Sequence, residues 1–292
     1  MDNQSPIGIT GGTGVYEIPE LEILESVAVD TPFGEPSDEY IRGNLKGVDI
    51  VFLPRHGRGH LYSAPGVNYR ANIYGFKKLG VDSLLATGAV GSMREEHHPT
   101  DIVIPDQFFD NTGRRVSTFF TGSPAIHVDL ADPTCPALRE IIYRSGLRAG
   151  ASIKNGGTYI CIDGPAFSTR AESEIYRSWG MDIIGMSGAT EAKLCREAEM
   201  CYVSLALVTD YDVWKEGAED VTVDVIVANL LKNAQTARAI LKEAILNVPG
   251  NRGCSCRNAL DNAIVGDINM VSDESRARLG ILVDRHMPPK VL

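Results

Sequence analysis

No stretch of this chain is long and apolar enough to cross a membrane, which takes roughly 18–20 consecutive apolar residues. The N-terminus, MDNQSPIGITGG, has no charged start followed by a long apolar run. That excludes a secretory signal and makes the cytoplasm the expected location. Cysteine is scarce: six in 292 residues are too few and too scattered for a small disulfide scaffold. Cys254 and Cys256 form a CxC pair, but no second closely spaced pair accompanies them, so no metal site is expected. Positive charge is also short, and the net charge of −10 argues against nucleic acid or a membrane surface as partner. An anionic small substrate stays open, because local arginines can override the global field. Linkers, low-complexity tracts and repeats are missing too. One domain is therefore expected over residues 1–266, with a short tail, 267–292, of unassigned role.

What is present is globular: 43% of residues are hydrophobic and 23% charged, enough to bury a large core. Short apolar runs read as strands over 6–10, 48–54, 82–90, 101–104, 157–162, 182–186 and from Cys201 onward. Helical spacing occupies 70–80, 136–149, 171–180, 190–200 and 221–247, the last with Val223, Ile226, Val227, Leu230 and Leu231 on one face. Strands alternating with helices predict a three-layer α/β/α fold around a central mixed sheet.

Several strand ends carry chemistry. The run CYVSLALVTDYD ends in Thr209, Asp210 and Asp212. Ligands of α/β proteins bind past the carboxyl ends of strands, so both carboxylates are expected in a cleft. Gly11-Gly12-Thr13-Gly14 offers backbone amides and a hydroxyl to an anion, although neither a Walker A loop nor GxGxxG is completed; a tight turn uses the same residues. Arg55-His56-Gly57-Arg58-Gly59-His60 is a compact cationic loop in an acidic chain, suited to bidentate capture of phosphate. Its bland reading is an arginine paired with surface carboxylates. Thr87 to Ser92 supplies small residues at another strand end, and Phe167-Ser168-Thr169-Arg170 follows a Gly-Pro turn. His127 and the cysteines Cys195 and Cys201 read as core residues, and no Gly-x-Ser-x-Gly elbow is present.

Taken in order, FLPRHGRGH, VNYRAN, GSMREE, ADPTCP, GPAFSTRAES, RSWGMDIIGMS and VTDYD resemble the 5′-methylthioadenosine phosphorylase family, within the trimeric branch of the purine nucleoside phosphorylase superfamily. The resemblance runs from about residue 6 to about residue 265. It implies phosphorolysis of methylthioadenosine to adenine and 5-methylthioribose 1-phosphate. Phosphate is then a co-substrate, no cofactor or metal is needed, and the assembly is a homotrimer or a dimer of trimers. Position by position, Thr13, Arg55, His56, Gly88, Ala89 and Ser187 match phosphate contacts, and Met186 the residue over the ribose. Phe167, Ser168 and Thr209 match nucleoside contacts, and Asp210 and Asp212 the adenine-binding carboxylates. Val223, Ile226 and Val227 match the 5′-methylthio pocket, to which His127 comes from a neighbouring subunit.

The chain departs from the family where Met-Thr-x-x-Pro-Glu becomes Met186-Ser187-Gly188-Ala189-Thr190-Glu191, and where Gly88 stands for a common Ser or Thr. Some archaeal members bridge the positions of Cys254 and Cys256 and those of Cys135 and Cys201, so the resemblance implies both disulfides here. A broad or 6-oxopurine nucleoside phosphorylase is the alternative within the same chemistry. A nucleoside-binding protein without catalysis and a water-using hydrolase are the alternatives outside it.

Overall fold

The computed structural model describes residues 5–12, 18, 20–122, 124–215, 223–250 and 253–287, with the side chains of 223, 225 and 226 excepted. The chain opens with strands β1 (Ile7–Gly11), β2 (Glu22–Val27), β3 (Tyr40–Leu45) and β4 (Val48–Pro54), then helix α1 (Tyr69–Lys78). Strands β5 (Ser83–Ser92), β6 (Ile102–Ile104), β7 (Gln107–Asn111) and β8 (Ala125–Ile126) precede α2 (Pro136–Arg148). Next come β9 (Ile153–Asn155), β10 (Thr158–Ile162), α3 (Arg170–Ser178), β11 (Ile183–Gly185), α4 (Gly188–Glu197) and β12 (Cys201–Asp210). Helix α5 (Val223–Ile245), β13 (Ile264–Val265) and α6 (Asp273–Leu279) follow.

Among the described residues, eleven strands form one mixed sheet, and β8 pairs with β13 apart from it. The centre of the large sheet is β5. It runs parallel to β1 along Ser83–Ala86 and parallel to β12 along its length, while β11 meets its last residues antiparallel. Beyond β1 lie β4, β3 and the exposed edge β2. The carboxyl ends of β1, β4, β5 and β12 therefore open on the same side.

Strand pleating explains the two helical layers, because successive side chains point to opposite faces. Ile50 and Phe52 of β4, Leu85 of β5, and Val203, Leu205 and Leu207 of β12 pack toward α2 and α5. Val51, Leu53, Leu84, Ala86 and Tyr202 face the other way, toward α1 and α4. Both faces are buried, which is why these strands read as unbroken apolar runs. No described helix is long and apolar enough to cross a membrane.

Three observations refine the sequence reading. Strands β2 and β3 went unseen, since β2 is exposed along nearly its whole length and shows no alternation. Residues 268–287 are packed: Val271, Leu279, Leu282, Val283 and Met287 are buried in the α1 and α4 core. On α5 the aliphatic stripe divides: Leu230 is half-buried against the core. Val227 and Leu231 are exposed, while Asn229 and Asn233 turn to β12 and donate to the carbonyls of Thr209 and Val208 at 2.7 and 2.8 Å. Farther along, Ala237, Ile240, Leu241 and Ala244 carry the packing.

Gly75 lets α1 approach β3: a Cβ there would lie 2.1 Å from the Tyr40 hydroxyl. That hydroxyl donates to the Asn72 carbonyl at 2.7 Å, and the ring is fully buried. Gly75→Ala gains about 1 kcal/mol of helix propensity but overpacks a site that cannot yield. A net loss of about 1–3 kcal/mol is expected from denaturant unfolding; a stabilised variant would refute the packing argument.

Candidate active site

Four parallel strand ends and one helix start build a cleft. Gly11 and Gly12 close β1, and the Gly11 carbonyl accepts the Arg55 amide at 3.0 Å. With Pro54, His56, Gly57 and His60 they line a depression at the β1 and β4 ends. Thr13 lies outside the described residues.

Arg55 is 3% exposed and does not point freely into this space. Its Nε and Nη2 grip both carboxylate oxygens of Glu191 at 2.5 and 3.2 Å, and Nη1 donates to the Thr87 carbonyl at 2.7 Å. The Tyr202 hydroxyl donates to Glu191 at 2.9 Å. Burial pulls the guanidinium pKa down, but the charge and hydrogen bonds of Glu191 outweigh it and the net shift is upward. The bidentate grip expected for phosphate is thus spent on Glu191. Of the five N–H groups of an arginine, those not engaged by Glu191 and Thr87 are left for a ligand. A Cβ on Gly88 would stand 3.8 Å from Nη1, so Gly88 borders this corner.

The cationic loop divides into two parts. Arg58 is exposed and pairs with Asp38 and Glu39, at 3.4 and 3.5 Å. His56 turns inward, and its ring stacks on His60 at 4.4 Å between centroids. The His56 Nδ1 stands 2.8 Å from the Tyr62 carbonyl, which can only accept. Nδ1 therefore carries the proton, and Nε2 keeps a lone pair. Burial and the Arg55 charge lower the His56 pKa from 6.5 to about 4.

Strand β11 runs antiparallel to β5, with Ile184 opposite Gly91. Its continuation carries Met186 and Ser187 back toward Ala89 and Gly88. Ser187 is the N-cap of α4, yet its hydroxyl makes no capping bond, so an anion there meets both the hydroxyl and the helix amides. Arg115 fixes this turn and its neighbour by donating to the carbonyls of Met186, Ile162 and Asp163.

Three residues farther along β5 from Gly88, beside Gly91, lie the carboxylates. The β12 register shifts between Val208 and Asp210, which sets Asp210 opposite Gly91. Such a bulge re-aims a side chain beside a site. A Cβ on Gly91 would stand 3.0 Å from Asp210 Oδ1, so the glycine leaves the carboxylate room for this close approach. Asp210 accepts from the Thr209 hydroxyl and the Asp212 amide, both at 2.7 Å. Asp212 is 7% exposed with φ +52. Burial raises both carboxyl pKa values; at Asp212 a Ser173 hydrogen bond opposes it and the Asp210 charge adds to it. Thr87 Oγ1, Ser168 Oγ, Thr190 Oγ1 and Asp212 Oδ2 are buried without a hydrogen-bond partner among the described residues.

The remaining predicted residues spread wider. Phe167 is 49% exposed on the loop after β10. Thr169 and Arg170 have structural duties: Thr169 forms a capping box with Glu172, and Arg170 donates to the Val213 carbonyl. Val227 is 46% exposed near the start of α5, and the side chains of Val223 and Ile226 lie outside the described residues. His127 is not core but exposed, in a separate depression with Asp129, Arg196 and Asn262. Sequence reasoning passed over Glu191 and Arg115. An acidic residue among Ala189, Ala192 and Leu194 on one helix was the available signal for Glu191; Arg115, in an irregular loop, offered none.

The expected disulfides are corrected. None of the six cysteines is in a disulfide, and the Cys201 and Cys254 thiols, which belong to different expected bridges, stand 3.3 Å apart.

Arg55 borders Gly88 and the carboxylates border Gly91, three residues farther along β5, a geometry suited to a ligand that carries an anion at one end and a base at the other. Residues 6–246 match the model of the phosphorylase superfamily. The chain is 50% identical over 282 residues to S-methyl-5′-thioadenosine phosphorylase of Geobacter sulfurreducens, covering 96% of this chain and 99% of that one. It is 48% identical over 283 residues to the Koribacter versatilis enzyme of the same name, with 97% of each covered. A crystal structure of methylthioadenosine phosphorylase from an antarctic soil metagenomic library superposes with a TM-score of 0.90 at 44% identity, over 96% of this chain and 99% of that chain. The adenine complex of the Schistosoma mansoni enzyme gives 0.84 at 34% identity, over 88% and 96%. The chain belongs to the phosphorylase superfamily and, within it, to the S-methyl-5′-thioadenosine phosphorylase family.

Two stability measurements check this geometry. Glu191→Ala leaves the Arg55 charge buried and uncompensated, and should cost about 3–5 kcal/mol in urea unfolding; an unchanged midpoint would mean that the guanidinium is held by other groups. For His56, the folded pKa lies below the unfolded one, so the unfolded chain binds more protons between them. Stability should fall as pH drops from 6.5 toward about 4, and His56→Gln should flatten that fall in a pH series of melting temperatures. Identical profiles would remove His56 from the titration.

Proposed function

We propose that this cleft carries out phosphorolysis of 5′-methylthioadenosine, releasing adenine and 5-methylthioribose 1-phosphate. The observation that carries this reading is the spacing along β5. Arg55 borders Gly88 and Asp210 abuts Gly91, three residues on, or about 10 Å at strand rise. That leaves room for a pentose and a purine between an anion site and a proton donor.

On this reading, phosphate is held by the remaining Arg55 N–H groups, His56, the Ser187 hydroxyl, the Gly88 and Ala89 turn and Thr13. The glycosidic bond breaks toward an oxocarbenium-like ribosyl cation, which the phosphate stabilises and captures at the anomeric carbon. Met186 lies over the ribose. Phe167 and Ser168 bound the base, and Thr209 holds Asp210 in place. A carboxyl at Asp210 that keeps its proton to higher pH protonates N7 as the base leaves. Its other oxygen accepts from the adenine 6-amino group, which a 6-oxopurine lacks. Asp212 orients Asp210 through its backbone amide.

The 5′-methylthio group is assigned to Val223, Ile226 and Val227, with His127 from a neighbouring subunit of a homotrimer or a dimer of trimers. The exposure of Val227, and the separation of His127 from its own chain's cleft, support that arrangement.

Asp210→Asn should lower kcat on methylthioadenosine by about 10²–10⁴-fold with little change in the phosphate KM. Equal activity would take Asp210 out of the mechanism. Turnover should depend strictly on phosphate, and methylthioadenosine should exceed inosine in kcat/KM; inosine as the better substrate would turn the assignment to 6-oxopurines.

A further inference from the structure

The four cysteines that were expected to pair as disulfides instead converge. The sulfurs of Cys135, Cys201, Cys254 and Cys256 all lie within 4.8 Å of one another. They come from three separate elements. Cys135 is the N-cap of α2, Cys201 is the first residue of β12, and Cys254 and Cys256 flank Ser255 at a 3₁₀ turn. Cys135, Cys201 and Cys256 are each 2% exposed, in the core beneath α2 and α5. Backbone bonds fix the framework around them: the Cys135 amide donates to the Tyr202 carbonyl at 2.9 Å, and the Cys201 amide to the Asp82 carbonyl at 2.8 Å.

We propose that this cluster is a structural zinc site with four thiolate ligands. A Zn–S bond of about 2.3 Å in a tetrahedron sets the sulfurs about 3.8 Å apart, close to the spacing already present. Four sulfur donors with no open position form a closed, structural set, and soft thiolates favour zinc over oxygen-seeking cations. The position also excludes catalysis. Cys201 opens β12 and Asp210 closes it, so about 30 Å of strand separates the cluster from the carboxylates. Binding would displace the thiol protons to solvent with no redox change. The ion would staple the segment after residue 253 to α2 and β12. That same segment carries β13, which pairs with β8, and the Ala263 carbonyl, which accepts the His127 amide at 2.8 Å.

The test is zinc competition against a chromogenic chelator, using the full chain reduced under anaerobic conditions, alongside the Cys254→Ser/Cys256→Ser variant. About one zinc per chain should bind to the wild type, and the variant's affinity should fall by more than about 100-fold. Retained phosphorolysis activity shows that the variant is folded. Cobalt substitution should give intense thiolate-to-metal absorption with tetrahedral d–d bands in the wild type only. No tight uptake by the reduced wild type overturns the proposal, whether the isolated chain holds two disulfides or four free thiols. Equal uptake by the variant, or cobalt bands without sulfur charge transfer, overturns it as well.

Discussion

The buried ion pair between Arg55 and Glu191 is the interaction on which the rest of the site depends. Both side chains are nearly inaccessible, so each has lost its water. The cost is offset by geometry: a two-point grip, the Tyr202 hydroxyl on the carboxylate and the Thr87 carbonyl on the guanidinium. The partners come from the end of β4, the middle of β5, the first turn of α4 and the start of β12. A charge pair that must be satisfied fixes the relative position of all four. It also explains how a guanidinium stays charged in the interior of this protein. The guanidinium is held by a carboxylate and a backbone carbonyl that together fix its plane.

The second constraint is the bulge at the end of β12. A regular ladder would carry Thr209 and Asp210 past β5 in simple alternation. The register shift sets Asp210 against Gly91, while Asn229 and Asn233 tie off the carbonyls at the same strand end. Polar residues on α5 thus do the work that aliphatic contacts do farther along the helix. Backbone irregularity, asparagine caps and a glycine without a Cβ cooperate to place one carboxyl group, and burial of that group raises its pKa.

What could be read from the sequence follows from burial. Strands β1, β4, β5 and β12 were legible because both their faces are covered, which forces continuous apolar runs that end abruptly in glycine or charge. Strand β2 was illegible because an exposed edge imposes no pattern. Asp210 and His56 were visible at strand ends, whereas Ser187 came only with the family resemblance. Glu191 was hidden because its role is defined by a residue 136 positions away. Arg58 took the surface pairing that the sequence left open beside the anion reading, since in a string of letters an arginine facing solvent looks like one facing a ligand. The cysteines show the same limit. Spacing along the chain separates Cys135, Cys201 and the CxC pair, and only the sheet and α2 together bring them to one point.

The fixed tautomer of His56 bears on which oxyanions this cleft accepts. With the Nδ1 proton committed to the Tyr62 carbonyl and the ring neutral at physiological pH, Nε2 presents a lone pair to whatever lies before it. Hydrogen phosphate carries an O–H and can donate to that nitrogen. Sulfate, of the same shape and charge, has no proton to give at neutral pH and would set lone pair against lone pair. On the proposed reading, one backbone carbonyl behind an imidazole makes the site a discriminator between two nearly isosteric dianions, by counting a single hydrogen.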